Sequence, residues 1–300
     1  MYAGRRARAE SAQSVLRVRS EWAVTNQPSP RRLLWQAAAR GLIPELLTDD
    51  RQVGCADWPE CGVCMQDRLF QSAEFGISAQ AAATIIFICP YSTPIQKVRF
   101  AIRRLLRAGY HVVAYETTEA VFTEADPMIL PELISQVRED IRSWIAKLAS
   151  EGVTEFGFFG SSLGSFILYN CVGDEIPELR WGVFNTGGNI ARGVWNMPML
   201  RQLHEARGWS LPRLEEAWAK LQWPDFGRLD GCRFVFASSR RDSIAPLRNI
   251  SHYLGPMLRA GADVSVYEMP AISHRTTVIA GLWKGPQLIR MVRRPSPLDQ

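Results

Sequence analysis

From Ala81 onward, short β-prone apolar runs alternate with stretches whose apolar residues recur at helical spacing. That alternation limits what the chain can fold into more than any other feature. Thr84–Cys89 is continuously apolar or β-branched, as expected of a strand covered on both faces. His111–Tyr115, Glu155–Phe159, Trp181–Asn185, Arg233–Ala237 and Val264–Glu268 read as further strands, and residues 70–77 as a possible earlier one. Ile95, Val98, Ile102, Leu105 and Leu106 follow a helical period that Gly109 closes. Ser92 or Thr93 is the expected cap of that helix, with Pro94 at its first position. A second helix, opening at Pro131, carries Ile134, Val137, Ile141, Trp144, Ile145 and Leu148 and stops at Gly152; a third spans about 163–171. Strands alternating with helices predict an α/β fold with a mostly parallel, twisted sheet and helices on both faces.

Residues 191–228 break the rhythm, because two strands there are separated by helical sequence alone. Leu211, Leu214, Trp218 and Leu221 recur at helical spacing after the cap-like Ser210, so this segment is expected to be a helical lid. Trp195, Trp209, Trp218 and Trp223 crowd it, either to pack the lid on the sheet or to line an apolar acyl pocket. The expected organisation is an N-terminal extension over 1–80 with short helices and a possible first strand, then core over 81–190 and lid over 191–228. The second part of the core follows over 229–291, with a tail over 292–300.

Composition excludes several classes. At 47% hydrophobic and 22% charged the 300 residues are those of a globular chain. No run reaches the roughly 18 to 20 apolar residues of a membrane span. A net charge of +5 is too diffuse to argue for nucleic acid. No apolar stretch follows Arg5, Arg6 and Arg8, so a secretory signal is not expected. Six cysteines suggest reduced thiols and a cytoplasmic protein. Cys55, Cys61 and Cys64 contain one C-x-x-C pair and a loose third thiol; zinc wants four ligands, and reduced loop cysteines are the plainer reading. No metal and no cofactor are expected.

Gly160-Ser161-Ser162-Leu163-Gly164 fits G-x-S-x-G and lies between an apolar strand and a helical run. A turn that sharp strains its central residue and leaves no room for side chains two positions away, where Gly160 and Gly164 stand. Ser162 is then presented at the carboxyl end of the sheet, while Ser161 and Ser165 read as packing or capping residues. A serine hydroxyl needs a base, and the base needs an acid to orient it. Of four histidines, His111 opens a strand at the wrong edge, His204 lies in the lid, and His252 falls opposite an apolar helix face. His274 follows the last legible strand across a short loop and leaves the same edge as Ser162. Asp242 leaves that edge after the strand at 233–237; the other available position carries Asn185, an amide that cannot stabilise an imidazolium as an anion does. A helix cap before Pro246 is the alternative role for Asp242. Arg240 and Arg241 could draw an anionic substrate group or simply be solvated.

Ser162, Asp242 and His274, in that order and each after the right kind of strand, make residues 81–291 resemble the α/β-hydrolase superfamily of serine esterases and lipases. The resemblance implies an oxyanion hole built from the Leu163 N–H and one N–H of the loop Cys89-Pro90-Tyr91-Ser92. The family often has His-Gly there; Pro90 has no N–H, which leaves Tyr91 as the donor with Ser92 behind it. The activity implied is hydrolysis of a carboxylic ester or thioester, on a small acyl substrate with an apolar group. Acyl transfer on the same triad and a non-catalytic interaction module are the alternatives. The sequence does not indicate an oligomeric state.

Overall fold

The computed structural model describes residues 69–78, 81–123 and 126–293, all within the compact unit Gly54–Gln300. The expectations for short helices in the N-terminal extension, the cysteines at 55, 61 and 64, the basic N-terminal stretch and the tail after Arg293 lie outside those residues. Seven strands form one sheet: β1 (Phe70–Phe75), β2 (Thr84–Ile88), β3 (His111–Thr117), β4 (Phe156–Ser161), β5 (Leu179–Asn185), β6 (Arg233–Ser238) and β7 (Asp263–Glu268). Their spatial order is β1-β3-β2-β4-β5-β6-β7. Only β1 runs antiparallel, against β3; every other neighbouring pair is parallel. The α/β, mostly parallel architecture expected from the sequence is therefore the observed one.

Alternation along each strand divides the apolar residues between two cores. Ile85, Phe87, Val112, Ala114, Phe159, Val183, Val235 and Ala237 face α1 (Arg99–Arg107) and the C-terminal helix. Ile86, Ile88, Val113, Tyr115, Phe158, Phe184, Phe234 and Phe236 face the other side. There they meet α2 (Ala120–Thr123), α3 (Ile129–Ser150) and α4 (Leu163–Tyr169). All five β2 residues are buried, as a strand at the middle of a doubly covered sheet requires.

Between β5 and β6 lie α5 (Ile190–Trp195), α6 (Pro198–Ala206), α7 (Leu211–Ala217) and α8 (Ala219–Gln222). Trp218 is buried and donates its indole N–H to the Pro127 carbonyl at 2.8 Å, while Trp223 remains 51% exposed. Trp195 and Trp209 pack against the same core. The insertion thus uses most of its tryptophan for packing. After β6 come α9 (Ser251–Arg259), β7 and finally α10 (His274–Val292).

Three local expectations need correction. Neither Ser92 nor Thr93 caps the first helix: Pro94 precedes a 3-10 turn over Ile95–Val98, and the Ile95 amide donates to Glu116 Oε2 at 2.6 Å. Ser210 makes no side-chain cap for α7. Cys171 lies just beyond α4 rather than within it. The 19-residue α10 is legible only in part from the sequence, because Gly281, Gly285 and Pro286 interrupt its pattern. Gly281 is required by contact: a Cβ there would overlap the Asn185 carboxamide.

Candidate active site

β4 ends at Ser161 and α4 begins at Leu163, so Ser162 alone turns the chain from strand to helix. Its backbone sits at φ 54°, ψ −117°, in the left-handed half of conformational space that serine ordinarily avoids. Close packing enforces the turn. A Cβ on Gly160 would lie 2.6 Å from the Gly164 carbonyl oxygen, and one on Gly164 would overlap the Ile88 carbonyl oxygen of β2. Both partners are backbone and cannot move aside cheaply. The Ser162 N–H donates to the Asn185 carbonyl at 2.8 Å and to Thr186 Oγ1 at 3.1 Å, tying the turn to the end of β5. Ser165 Oγ donates to the Gly160 and Asn185 carbonyls, both at 2.8 Å, and Ser161 Oγ accepts from Asn185 Nδ2 at the same distance. Those two serines pack the elbow, as their position outside the motif suggested.

Ser162 Oγ lies 3.0 Å from His274 Nε2, and His274 Nδ1 lies 3.0 and 2.9 Å from Asp242 Oδ1 and Oδ2. An ionised carboxylate only accepts hydrogen bonds, so Nδ1 carries the ring proton and Nε2 is left to accept from the serine hydroxyl. The three groups come from the ends of β4, β6 and β7, at one edge of the sheet.

His274 opens α10, and its backbone is fixed by a capping box. Ser273 Oγ accepts from the Thr276 amide at 3.3 Å, and Thr276 Oγ1 accepts from the Ser273 amide at 3.0 Å. Asp242 is 2% exposed, and its Oδ1 also accepts from the Ile244 and Ala245 amides at 2.9 and 2.8 Å. Burial alone would raise its carboxyl pKa, but the hydrogen bond and charge of His274 and those two amides outweigh burial and hold it below the ordinary value. The alternative role is partly met as well: those two bonds cap the turn at 242–245, while the 3-10 turn over Leu247–Ile250 starts after Pro246 without a side-chain cap. Ser239 Oγ donates to the Ala271 carbonyl at 2.6 Å, so the loops carrying Asp242 and His274 are bonded to each other.

The remaining histidines are elsewhere or undescribed. His111 is buried at the opposite edge, with Nδ1 3.1 Å from Thr84 Oγ1 and Nε2 3.0 Å from Glu74 Oε1. Burial lowers its pKa against the pull of Glu74. His204 is 1% exposed in α6, and neither ring nitrogen meets a hydrogen-bond partner among the described residues. Burial, followed by the Arg207 charge, lowers its pKa too. His252 lies in α9, and its side chain is outside the description. Asn185 is buried and structural, with Nδ2 donating to Ser161 Oγ and to the Val278 carbonyl. Arg240 pairs with Glu268 at 3.1 Å on the surface.

Leu163 is the first residue of α4, directly after Ser162, so its N–H has no intrahelical acceptor. The loop after β2 carries Tyr91 and Ser92 at that same edge; Ser92 has φ 50°. Thr186, at φ 61°, completes a set of three non-glycine residues with positive φ among those described. Sequence reading misses Thr186, because a β-branched residue is among the least expected to take that conformation. The only signal near it is the Gly187-Gly188 turn. No group of three or more metal-ligating side chains is present among the described residues. No helix there is long and apolar enough to cross a membrane.

A mostly parallel seven-stranded sheet, covered on both faces and carrying a serine at a strained strand-to-helix turn, is the α/β-hydrolase fold. Solved structures agree. The chain is similar to a lipase in its open form, with a TM-score of 0.52 and 12% identity over 74% of this chain and 94% of that one. It is similar to YahD bound to malic acid, with a TM-score of 0.50 and 10% identity over 75% and 100%. It also matches the acylaminoacyl peptidase of Pyrococcus horikoshii, with a TM-score of 0.50 and 10% identity over 75% of this chain but 41% of the peptidase. Identities this low establish the fold. No protein-family model and no curated protein sequence matches the chain.

Proposed function

We propose that the protein is a serine hydrolase that cleaves a carboxylic ester or thioester through a covalent acyl-enzyme. The observation that carries this reading is the unbroken hydrogen-bonded line from Ser162 Oγ through His274 to Asp242, with the serine on a strained elbow. Ser162 Oγ attacks the carbonyl carbon and its proton passes to His274 Nε2. The carbonyl electron pair moves to oxygen, where the Leu163 and Tyr91 N–H groups receive the negative charge. Collapse of that intermediate expels the alcohol or thiol, which takes the proton from Nε2. Water then repeats the cycle: His274 accepts its proton, the hydroxyl oxygen attacks the acyl carbon, and Ser162 leaves reprotonated. Asp242 stays ionised throughout, holding the tautomer and stabilising the imidazolium.

The helical insertion over 190–222 is read as the lid of this site. Its Asn196 Nδ2 donates to the Ile244 carbonyl at 3.3 Å, two residues from Asp242. An acyl group with an apolar chain would then lie between insertion and sheet edge.

Turnover of p-nitrophenyl esters and acyl thioesters by wild type and Ser162→Ala tests the reading. Wild type should release nitrophenol in a burst equal to the enzyme concentration, and Ser162→Ala should lose at least about 10³-fold in kcat. Wild-type turnover by Ser162→Ala would overturn it.

A further inference from the structure

The three non-glycine residues with positive φ among those described lie beyond the carboxyl ends of β2, β4 and β5, neighbours in the sheet. Backbone strain of this kind persists only where surrounding contacts over-determine it. At Ser162 the packing of Gly160 and Gly164 does so, and at Thr186 the bond to the Ser162 amide has the same effect. Ser92 needs its own explanation, because glycine would take φ 50° without steric cost.

Its hydroxyl supplies one. Ser92 Oγ donates to Glu119 Oε1 at 2.6 Å, a short bond to a charged acceptor. The same residue's backbone carbonyl accepts the Tyr91 hydroxyl at 3.0 Å. Burial, followed by the Glu119 charge, pushes the Tyr91 phenol up to about 12, so it stays protonated and able to donate. The Tyr91 ring rests against Phe122, with centroids 4.9 Å apart. Thr93 closes the turn from the other side: its hydroxyl donates to the Tyr91 carbonyl and its amide to the Pro90 carbonyl, both at 3.1 Å. Glu119 therefore grips the loop at two successive residues, one through its side chain and one through its backbone.

We propose that Glu119 is a positioning residue for the oxyanion loop: through the Ser92 hydroxyl and the Tyr91 phenol it fixes the peptide planes that present the Tyr91 and Ser92 amides to the substrate oxygen. This rests on the serine-hydrolase reading given above. It accounts for how a loop with Pro90 and without His-Gly is held for that task. Without the clamp, a serine at 92 relaxes to negative φ and a glycine there samples both signs, and the Tyr91–Ser92 peptide turns with either. The donors then no longer meet the oxygen where its charge develops, which costs rate rather than substrate binding.

The test is steady-state hydrolysis of p-nitrophenyl acetate by Ser92→Gly, Glu119→Ala, their combination, Glu119→Gln and Ser162→Ala, with Tm measured for each. Ser92→Gly and Glu119→Ala should each lower kcat about 10- to 100-fold with KM within about threefold. The combination should lose no more than the worse single change, since both remove one interaction. Glu119→Gln keeps an acceptor for the Ser92 hydroxyl and should recover most of the rate. Ser92→Gly relieves strain and should keep or raise Tm, so its loss of kcat separates positioning from damage to the fold. Wild-type kcat in Ser92→Gly, with Ser162→Ala inactive, would overturn the clamp and leave the hydrolase reading standing. Wild-type kcat in Ser162→Ala would remove the reading itself.

Discussion

Asp242→Asn changes one atom at the candidate site, and the structure dictates which way the new amide must face. Oδ1 accepts from the Ile244 and Ala245 amides at 2.9 and 2.8 Å. Turning the asparagine NH₂ toward those two donors would leave three polar hydrogens converging in a buried place, at a cost of several kcal/mol. The amide oxygen therefore keeps the backbone bonds and the NH₂ faces His274 Nδ1. That nitrogen must then accept, so the ring proton moves to Nε2, where it opposes the Ser162 hydroxyl instead of receiving its proton. The serine loses its base while every heavy atom stays in place. A tautomer error of this kind is worth about 10⁴-fold in kcat, or about 5.5 kcal/mol of transition-state free energy. Steady-state ester hydrolysis and the rate of fluorophosphonate labelling both read it. Tm should move by only a few degrees, because two of the carboxylate's hydrogen bonds persist. A variant retaining more than a tenth of wild-type kcat would refute the argument.

Gly164→Ala places a methyl group on the Ile88 carbonyl and should destabilise the fold by about 3 kcal/mol, read as a lowered urea midpoint; an unchanged midpoint would contradict the packing at the elbow. Thr186→Gly relaxes a β-branched residue at φ 61° but removes an acceptor of the Ser162 amide. Tm should hold while acylation slows several-fold, and loss of Tm with full activity would invert that assignment. His111 and His204 are both held below their ordinary pKa by burial. Between the folded value and about 6.5 the unfolded chain binds more protons, so stability rises with pH across that window and is lost as pH falls through it. The urea midpoint should drop between pH 7.5 and 5.5, and His204→Gln should flatten that slope; parallel slopes in variant and wild type would refute the assignment for His204.

How much of this was legible depended on whether the cause was local. The strand at Thr84–Ile88 is readable because five consecutive buried residues leave an apolar run. Ser162 is readable because the turn demands glycine at 160 and 164, and that demand shows as letters. His274 and Asp242 could be chosen by strand order, since both follow strands that leave one edge. The helix α10 was hidden by Gly281, whose reason is the carboxamide of Asn185, far away in the chain. The Glu116 bond to the Ile95 amide displaced the predicted cap for the same kind of reason: its partner comes from another strand. Ser92, Glu119 and Thr186 carry no motif at all. Their roles arise from backbone conformations and tertiary bonds that pairs of polar letters do not announce.

The most direct measurement is the site of covalent modification: treat the wild-type protein with a fluorophosphonate, digest it, and locate the adduct by mass spectrometry. A single phosphonyl group on Ser162, formed far more slowly after His274→Ala, is the predicted result. Modification of a different residue, or an unmodified protein after prolonged exposure, would contradict the account.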